Sequence, residues 1–324
     1  MNEPAASSQV PQGRIPALDM ARGAALVAMF AYHLVWDFAH FGYIDGRTPF
    51  STEMRLFSHV IACAFLFIAG LSLALARRAP FDWGAYWKRL ALIAGAAALV
   101  TLASWFLFPN AVIFFGILHC IAAASLIALP FLLLPWPAAI AAGAILFALP
   151  FFVSLPAFDA PALIWTGLGV RIPTSNDFRP FLPWSGALLV GLGLGIAMSA
   201  RGGFGALRRV SGAGPAAGLL AFGGRHSLLV YLVHQPIFFA LLTASVWAFG
   251  PPSPADEKPF RQVCERQCVD SGSSEQVCRR SCGCAAATLK RLSLWDKTKK
   301  NILDEAEKMI LARIAQDCVR ASKL

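Results

Sequence analysis

Apolar residues run almost unbroken through seven stretches of the chain, at about 17 to 38, 57 to 76, 88 to 108, 112 to 134, 137 to 154, 184 to 200 and 226 to 248. Each approaches the roughly 20 residues a helix needs to cross a bilayer, so the pattern predicts an all-α, polytopic transmembrane bundle of about seven spans. Pro130, Pro135 and Pro137 interrupt the fourth and fifth runs. Those two runs can therefore form one broken unit, and a count of six or eight also fits. Near Pro251 and Pro252 the pattern changes. Residues 91 to 157 contain no Asp, Glu, Lys or Arg, whereas residues 256 to 324 are rich in all four. The expected organisation is a cytoplasmic tail over 1–16, a transmembrane domain over 17–250 and a small cysteine-rich helical tail over 251–324. The first 16 residues are polar and carry no secretory-type apolar core or cleavage site, so the first apolar helix is expected to act as the anchor.

Loop charge sets the expected orientation. Arg77, Arg78, Lys88 and Arg89 follow the second run, and Arg201, Arg208 and Arg209 follow the sixth. Short basic loops stay on the cytoplasmic side, which places the N-terminus inside, the 155–183 loop outside and the C-terminal tail outside an inner (plasma) membrane. Trp83, Trp87, Trp105, Trp136, Trp184 and Trp247 fall near span ends, where an indole faces lipid on one side and water on the other.

Composition agrees: 57% of residues are hydrophobic, only 14% are charged, and mean hydropathy is +0.60. A surplus of that kind needs lipid as its partner. The net charge of +10 would in a soluble chain raise nucleic acid, but here the basic residues sit in short loops and the tail, with no basic-aromatic recognition motif. No nucleic-acid partner is expected.

Against this background the ionisable groups inside the runs carry the chemistry, since each costs at least about 2.5 kcal/mol at the centre of a bilayer unless it faces a cavity or a partner. Arg22 and His33 lie eleven residues apart, about 16 Å and close to three turns, and so project on nearly the same helical face. Asp37 is one turn beyond His33, placed to orient the imidazole. His119 stands in the fourth run. Arg225 opens the seventh, with His234 about 13 Å deeper, repeating the order of arginine at the surface and histidine within. The blander reading stays open: each histidine satisfied by a neighbouring carbonyl, each arginine extended to the headgroups. The three histidines show no short ligand spacing on one helix, so no metal is expected. The Gly191, Gly193 and Gly195 series lies within an apolar run and follows no strand, so it predicts close helix packing rather than a phosphate loop.

The order Leu18-Asp19-x-x-Arg22-Gly23, then His33 and Asp37, resembles the opening of integral-membrane acyltransferases that acetylate glycans. With Phe115-Gly116-Ile117-Leu118-His119, the Asp177 to Trp184 segment, Gly224-Arg225-His226-Ser227 and Tyr231-Leu232-Val233-His234-Gln235-Pro236, the stretch from Arg14 to about Phe249 is similar to the bacterial branch of the heparan-alpha-glucosaminide N-acetyltransferase catalytic-domain family. The resemblance implies an enzyme that takes acetyl groups from cytosolic acetyl-CoA and delivers them to a sugar or glycan on the other side of the membrane. In that frame Arg22, Arg225, Lys88 and Arg89 hold the donor's phosphates. His33, oriented by Asp37, acts as general base or accepts the acetyl group itself, while His234 or His119 polarises the thioester carbonyl or protonates the leaving group. A proton-coupled transporter is the alternative, because buried His and Asp also relay protons, although no internal repeat supports it. A third class is a non-catalytic scaffold that presents the tail.

In that tail Cys264-x-x-x-Cys268 and Cys278-x-x-x-Cys282 each place two cysteines on one helical face. Two helices joined by the turn at Asp270 to Ser274 would form a hairpin stapled by Cys264–Cys282 and Cys268–Cys278, with Cys284 left for Cys318. Disulfides require an oxidising compartment, which suits the outside placement. Zinc held by the same cysteines is the rival if the tail is cytoplasmic. Residues 288 to 321 read as an amphipathic helix that covers the acceptor entrance, binds a periplasmic partner, supports a homo-oligomer or simply adds stability. Cys63 and Cys120 lie in spans and read as packing residues.

Overall fold

A computed structural model describes residues 15–77, 81–202, 204–210, 214–249, 257–300 and 302–322. The expected N-terminal tail up to residue 14, Arg78 and the Pro251-Pro252 boundary lie outside these residues. Among the described residues there are thirteen α-helices and no strand. Five helices are long and apolar enough to cross a membrane: α1 (Pro16–His40), α2 (Thr52–Ala76), α3 (Trp83–Leu107), α6 (Phe181–Ala200) and α9 (Ser227–Phe249). The other two apolar runs form α4 (Ile117–Ile127) and α5 (Trp136–Phe152), which are shorter. The fourth run, expected to span from 112 to 134, stops as a helix after eleven residues and continues as a 3₁₀ turn at Pro130–Leu132. Pro130 lacks the N–H that the next helical bond would use, so the chain tightens there. Two short helices, α7 (Phe204–Arg209) and α8 (Pro215–Arg225), precede α9.

The chain divides into two compact units. The first comprises residues up to His33 together with Thr52–Phe239. Its hub is α6, which packs most extensively against α2 and α5. The candidate span in α6 is 67% buried against 17% in α3, so α6 is the interior element and α3 faces outward. Lipid is as apolar as leucine and gives little hydrophobic force between helices, so close van der Waals contact must do the work. The glycine series provides it. A Cβ at Gly191 would lie 2.2 Å from the Phe67 carbonyl oxygen on α2, and one at Gly193 would lie 2.6 Å from Ile140 on α5. Between these surfaces Leu66, Leu188 and Leu192 have no exposed area.

The second unit comprises Leu34–Ser51 and Ala240–Leu324. In its tail, α10 (Glu257–Asp270) and α11 (Glu275–Arg291) form the hairpin expected from the cysteine spacing, turning through Gly272 at φ +92°. The staples are Cys264–Cys282 and Cys268–Cys278, with Cα separations of 5.9 and 5.6 Å. Cys284 bonds Cys318 on α13 (Glu305–Ser322). The stretch expected to be one amphipathic helix over 288–321 is instead broken into the end of α11, the short α12 (Trp295–Lys300) and α13. Ser293 takes a positive φ of 58°, and Asp304 and Glu307 cap each other's backbone N–H to start α13 afresh. The breaks fold Leu294 and Trp295 onto Leu289 and Ile314, a core that one straight helix would not close. Cys63 and Cys120 are free, half-buried and buried respectively.

Two outcomes test this architecture. Gly191→Val should sharply reduce monodisperse protein recovered in detergent, whereas Gly95→Val on α3, where a Cβ meets nothing within 4 Å, should leave recovery unchanged; size-exclusion chromatography checks both. Alkylation of the denatured protein should modify only Cys63 and Cys120 before reduction and all 8 cysteines after it, as read by intact mass.

Candidate functional site

Within the first unit two cavities approach each other. One, of about 330 Å³, is bordered by Arg22, Lys88 and Arg89 with an apolar interior that includes Phe65, Leu92 and Leu228. The other, of about 440 Å³, is bordered by His33, Ser58, His59, Asp177 and Arg179. Phe65, Ile117 and Tyr231 border both. The first cavity lies toward the N-terminal parts of α1 and α3, the second toward the start of α2 and the 164–184 segment.

Arg22 is fixed at the first cavity by sequence-local and tertiary partners. Its guanidinium donates to Asp19 at 2.9 Å and to the Ser72 hydroxyl on α2. Glycine makes this end of α1 approachable: a Cβ at Gly23 would strike the Leu220 carbonyl oxygen at 2.1 Å, and one at Gly224 the Asp19 carbonyl oxygen at 1.8 Å. The crossing of α1 and α8 thus needs both glycines that flank the arginines. Arg225 itself is exposed and does not border the cavity. Lys88 and Arg89 do, so three of the four expected phosphate-binding residues converge and the fourth stands apart.

His33 and His234 meet. Their ring centroids are 4.9 Å apart, with Phe30 stacked on His234 at 5.2 Å. His33 is at the wall of the second cavity, and His234, only 6% exposed, packs behind it. His234 Nδ1 lies 2.6 Å from the Tyr231 carbonyl oxygen. A carbonyl can only accept, so Nδ1 carries the proton and the neutral ring presents a bare Nε2. Among the described residues that Nε2 is buried with no hydrogen-bond partner. Asp37 follows His33 by one turn of α1 and has no exposed surface.

His119 is arranged otherwise. Its Nδ1 accepts from the Gly116 N–H at 3.2 Å, while its Nε2 lies 3.1 Å from the Thr101 hydroxyl, which itself donates to the Ile113 carbonyl at 2.7 Å. Thr101 Oγ1 has spent its proton, so His119 Nε2–H is the donor. Both ring nitrogens are occupied, and the residue borders neither cavity. It pins the start of α4 to α3.

Arg179 and His59 were not among the residues singled out in the sequence, where Asp177 only opened the Asp177 to Trp184 segment. Asp177 accepts from the Ile117 N–H at 3.0 Å, capping α4 from the 164–184 segment, and lies 3.6 Å from Arg179. Gly116 admits it, since a Cβ there would be 2.5 Å from the carboxylate. Arg179 also bonds the Ser58 hydroxyl and lies over the Trp184 ring at 5.3 Å, with His59 edge-on to that ring at 5.0 Å. Trp184, expected to sit in the interfacial belt, is therefore 7% exposed and serves as the floor under a cation. The rule that flags ionisable groups inside apolar runs reaches His59, third residue of the second run. It misses Asp177 and Arg179, which stand in a loop where charge is unremarkable until the loop folds inward.

Asp177→Ala should lower stability by about 1 to 2 kcal/mol through loss of the helix cap and the ion pair, read as an earlier thermal transition in detergent.

The catalytic family of heparan-alpha-glucosaminide N-acetyltransferase matches this chain over residues 14–236. No curated protein and no solved structure matches it.

Proposed function

Because the chain belongs to the heparan-alpha-glucosaminide N-acetyltransferase catalytic family, a family of membrane acetyltransferases, we propose that it moves an acetyl group from cytosolic acetyl-CoA to a sugar or glycan acceptor on the far side of the membrane. The observation that carries this reading is the pair of cavities, one basic at its rim and one bearing imidazole, that share a wall of three residues.

The two ends of the donor substrate need different surroundings. Its phosphates require cations at a water boundary, and Lys88, Arg89 and Arg22 supply them; Lys88 and Arg89 are exposed and Arg22 is held in place by Asp19 and Ser72. The pantetheine arm is slim and largely apolar, as is the interior of the first cavity. The thioester then reaches the shared wall. An acceptor amine or hydroxyl in the second cavity attacks the acetyl carbon, and His33 takes its proton, with His234 behind it to carry the charge onward. The new bond forms as the C–S bond breaks, and the proton ends on the CoA thiolate. Asp37, one turn along α1, is the positioning residue for His33. An acetyl group transiently on His33 is the variant of this route in which donor and acceptor react in turn. His119, with both nitrogens used, holds α4 and Ile117 in the shared wall.

The basic loops support an inner-membrane orientation with the first cavity toward the cytosol and the 155–183 loop outside. Three disulfides support an extracytoplasmic tail, since they persist in an oxidising compartment.

Purified protein incubated with radiolabelled acetyl-CoA and either periplasmic glycan extract or glucosamine should release CoA and label the acceptor. His33→Ala should lower turnover by about 10² to 10⁴-fold while the protein stays folded. Lys88→Ala and Arg89→Ala should each raise the KM for acetyl-CoA by about tenfold or more, with a smaller effect for Arg225→Ala. Normal turnover in the His33 variant would overturn the catalytic assignment.

A further inference from the structure

The wall between the cavities carries a group that the transfer scheme above does not use. Phe65, Ile117 and Tyr231 are common to both cavities, and only Tyr231 has a side chain able to hydrogen-bond. Its main chain and side chain are separately engaged. The backbone carbonyl accepts the His234 Nδ1 proton, which leaves the phenol uncommitted by that bond. A tyrosine is also costly to place on an apolar span unless its O–H has something to bind.

The chemistry at that wall requires a donor. When the acceptor nitrogen or oxygen adds to the acetyl carbon, the carbonyl π electrons move to oxygen and an oxyanion forms. Lipid and apolar side chains do not solvate it. His33 and His234 handle the proton, and Arg179 is held by Asp177, Ser58 and the Trp184 face and does not border the first cavity. The geometry points to Tyr231 as a further catalytic residue, whose phenol donates a hydrogen bond to the thioester carbonyl oxygen and strengthens that bond as the oxygen becomes anionic. The phenol keeps its proton throughout. The oxyanion collapses, the C–S bond breaks, and the acceptor's proton passes through the histidines to the CoA thiolate. One residue thereby couples the two halves of the reaction: its carbonyl sets the His234 tautomer, and its hydroxyl steadies the oxygen that develops charge.

This inference rests on the acetyl-transfer reading. The experiment compares wild type and Tyr231→Phe for CoA release from acetyl-CoA with periplasmic glycan extract or glucosamine as acceptor probe, alongside the thermal shift produced by acetyl-CoA alone. The expected result is a fall in kcat of about 100-fold with unchanged KM and thermal shift for acetyl-CoA, because one donor is removed from the oxyanion and nothing from the binding surface. A Phe variant with wild-type kcat, or one whose loss lies wholly in acetyl-CoA binding, would overturn it. Should the Phe variant fold poorly, Tyr231→3-fluorotyrosine keeps the shape and makes the phenol more acidic, so turnover should rise; no change or a fall would overturn the assignment. Wild-type protein that binds acetyl-CoA and transfers nothing to either probe would refute the underlying reading, whereas active wild type beside an equally active Phe variant refutes only the role of Tyr231.

Discussion

Lipid does not solvate charge, and the arrangement of the first unit follows from how its interior cations meet that constraint. Arg22 bonds Asp19 three residues before it and reaches across to Ser72 on α2. Arg179 pairs with Asp177 two residues before it and reaches across to Ser58 on α2. The two anchoring serines are fourteen residues apart on one helix, about 21 Å along its axis. Each end of α2 is thus tied to a neighbouring segment by an arginine whose charge is offset locally by a carboxylate. A guanidinium suits this use because its planar fork can hold a carboxylate and a hydroxyl at once. Between the anchors, packing takes over, and the glycines of α6 let α2 and α5 approach to backbone contact.

The same anchors border the two cavities, so stability and function are not separable here. A helix pair fully packed from end to end would have no room for substrates. Arg22 borders one cavity and Arg179 the other, and Phe65, Ile117 and Tyr231 form the wall they share. His33 and His234 pack beside that wall, His234 against Tyr231. One borders the second cavity and the other stands behind it, its Nδ1 committed to a main-chain carbonyl and its Nε2 bare.

The tail of the second unit solves a different problem. Its helices are charged and its apolar core is small, built around Leu289, Trp295 and Ile314. So little burial does not by itself offset the entropy of ordering four short helices. Disulfides closing loops of 18, 10 and 34 residues remove that entropy from the unfolded chain instead, at a scale of about 3 kcal/mol for a loop of 15 residues.

Sequence alone determined what depends on local period and on lipid. The apolar runs, the helical class, the glycine packing of α6 and the two cysteine pairs of the hairpin were legible because each follows from spacing along one or two adjacent helices, and Cys284–Cys318 followed as the pair left over. Tertiary structure decided which groups share a space. It brought those two histidines to 4.9 Å, occupied both nitrogens of His119, left Arg225 outside the basic cavity, and buried Trp184 under Arg179. It also ended the helix of the fourth run after eleven residues and broke the last amphipathic stretch into three helical pieces. The reason is one of range. A helix dictates the direction and depth of its own side chains, but the partner of a side chain lies on another helix, and the rotation of one helix against another is set by packing that no single stretch of sequence encodes.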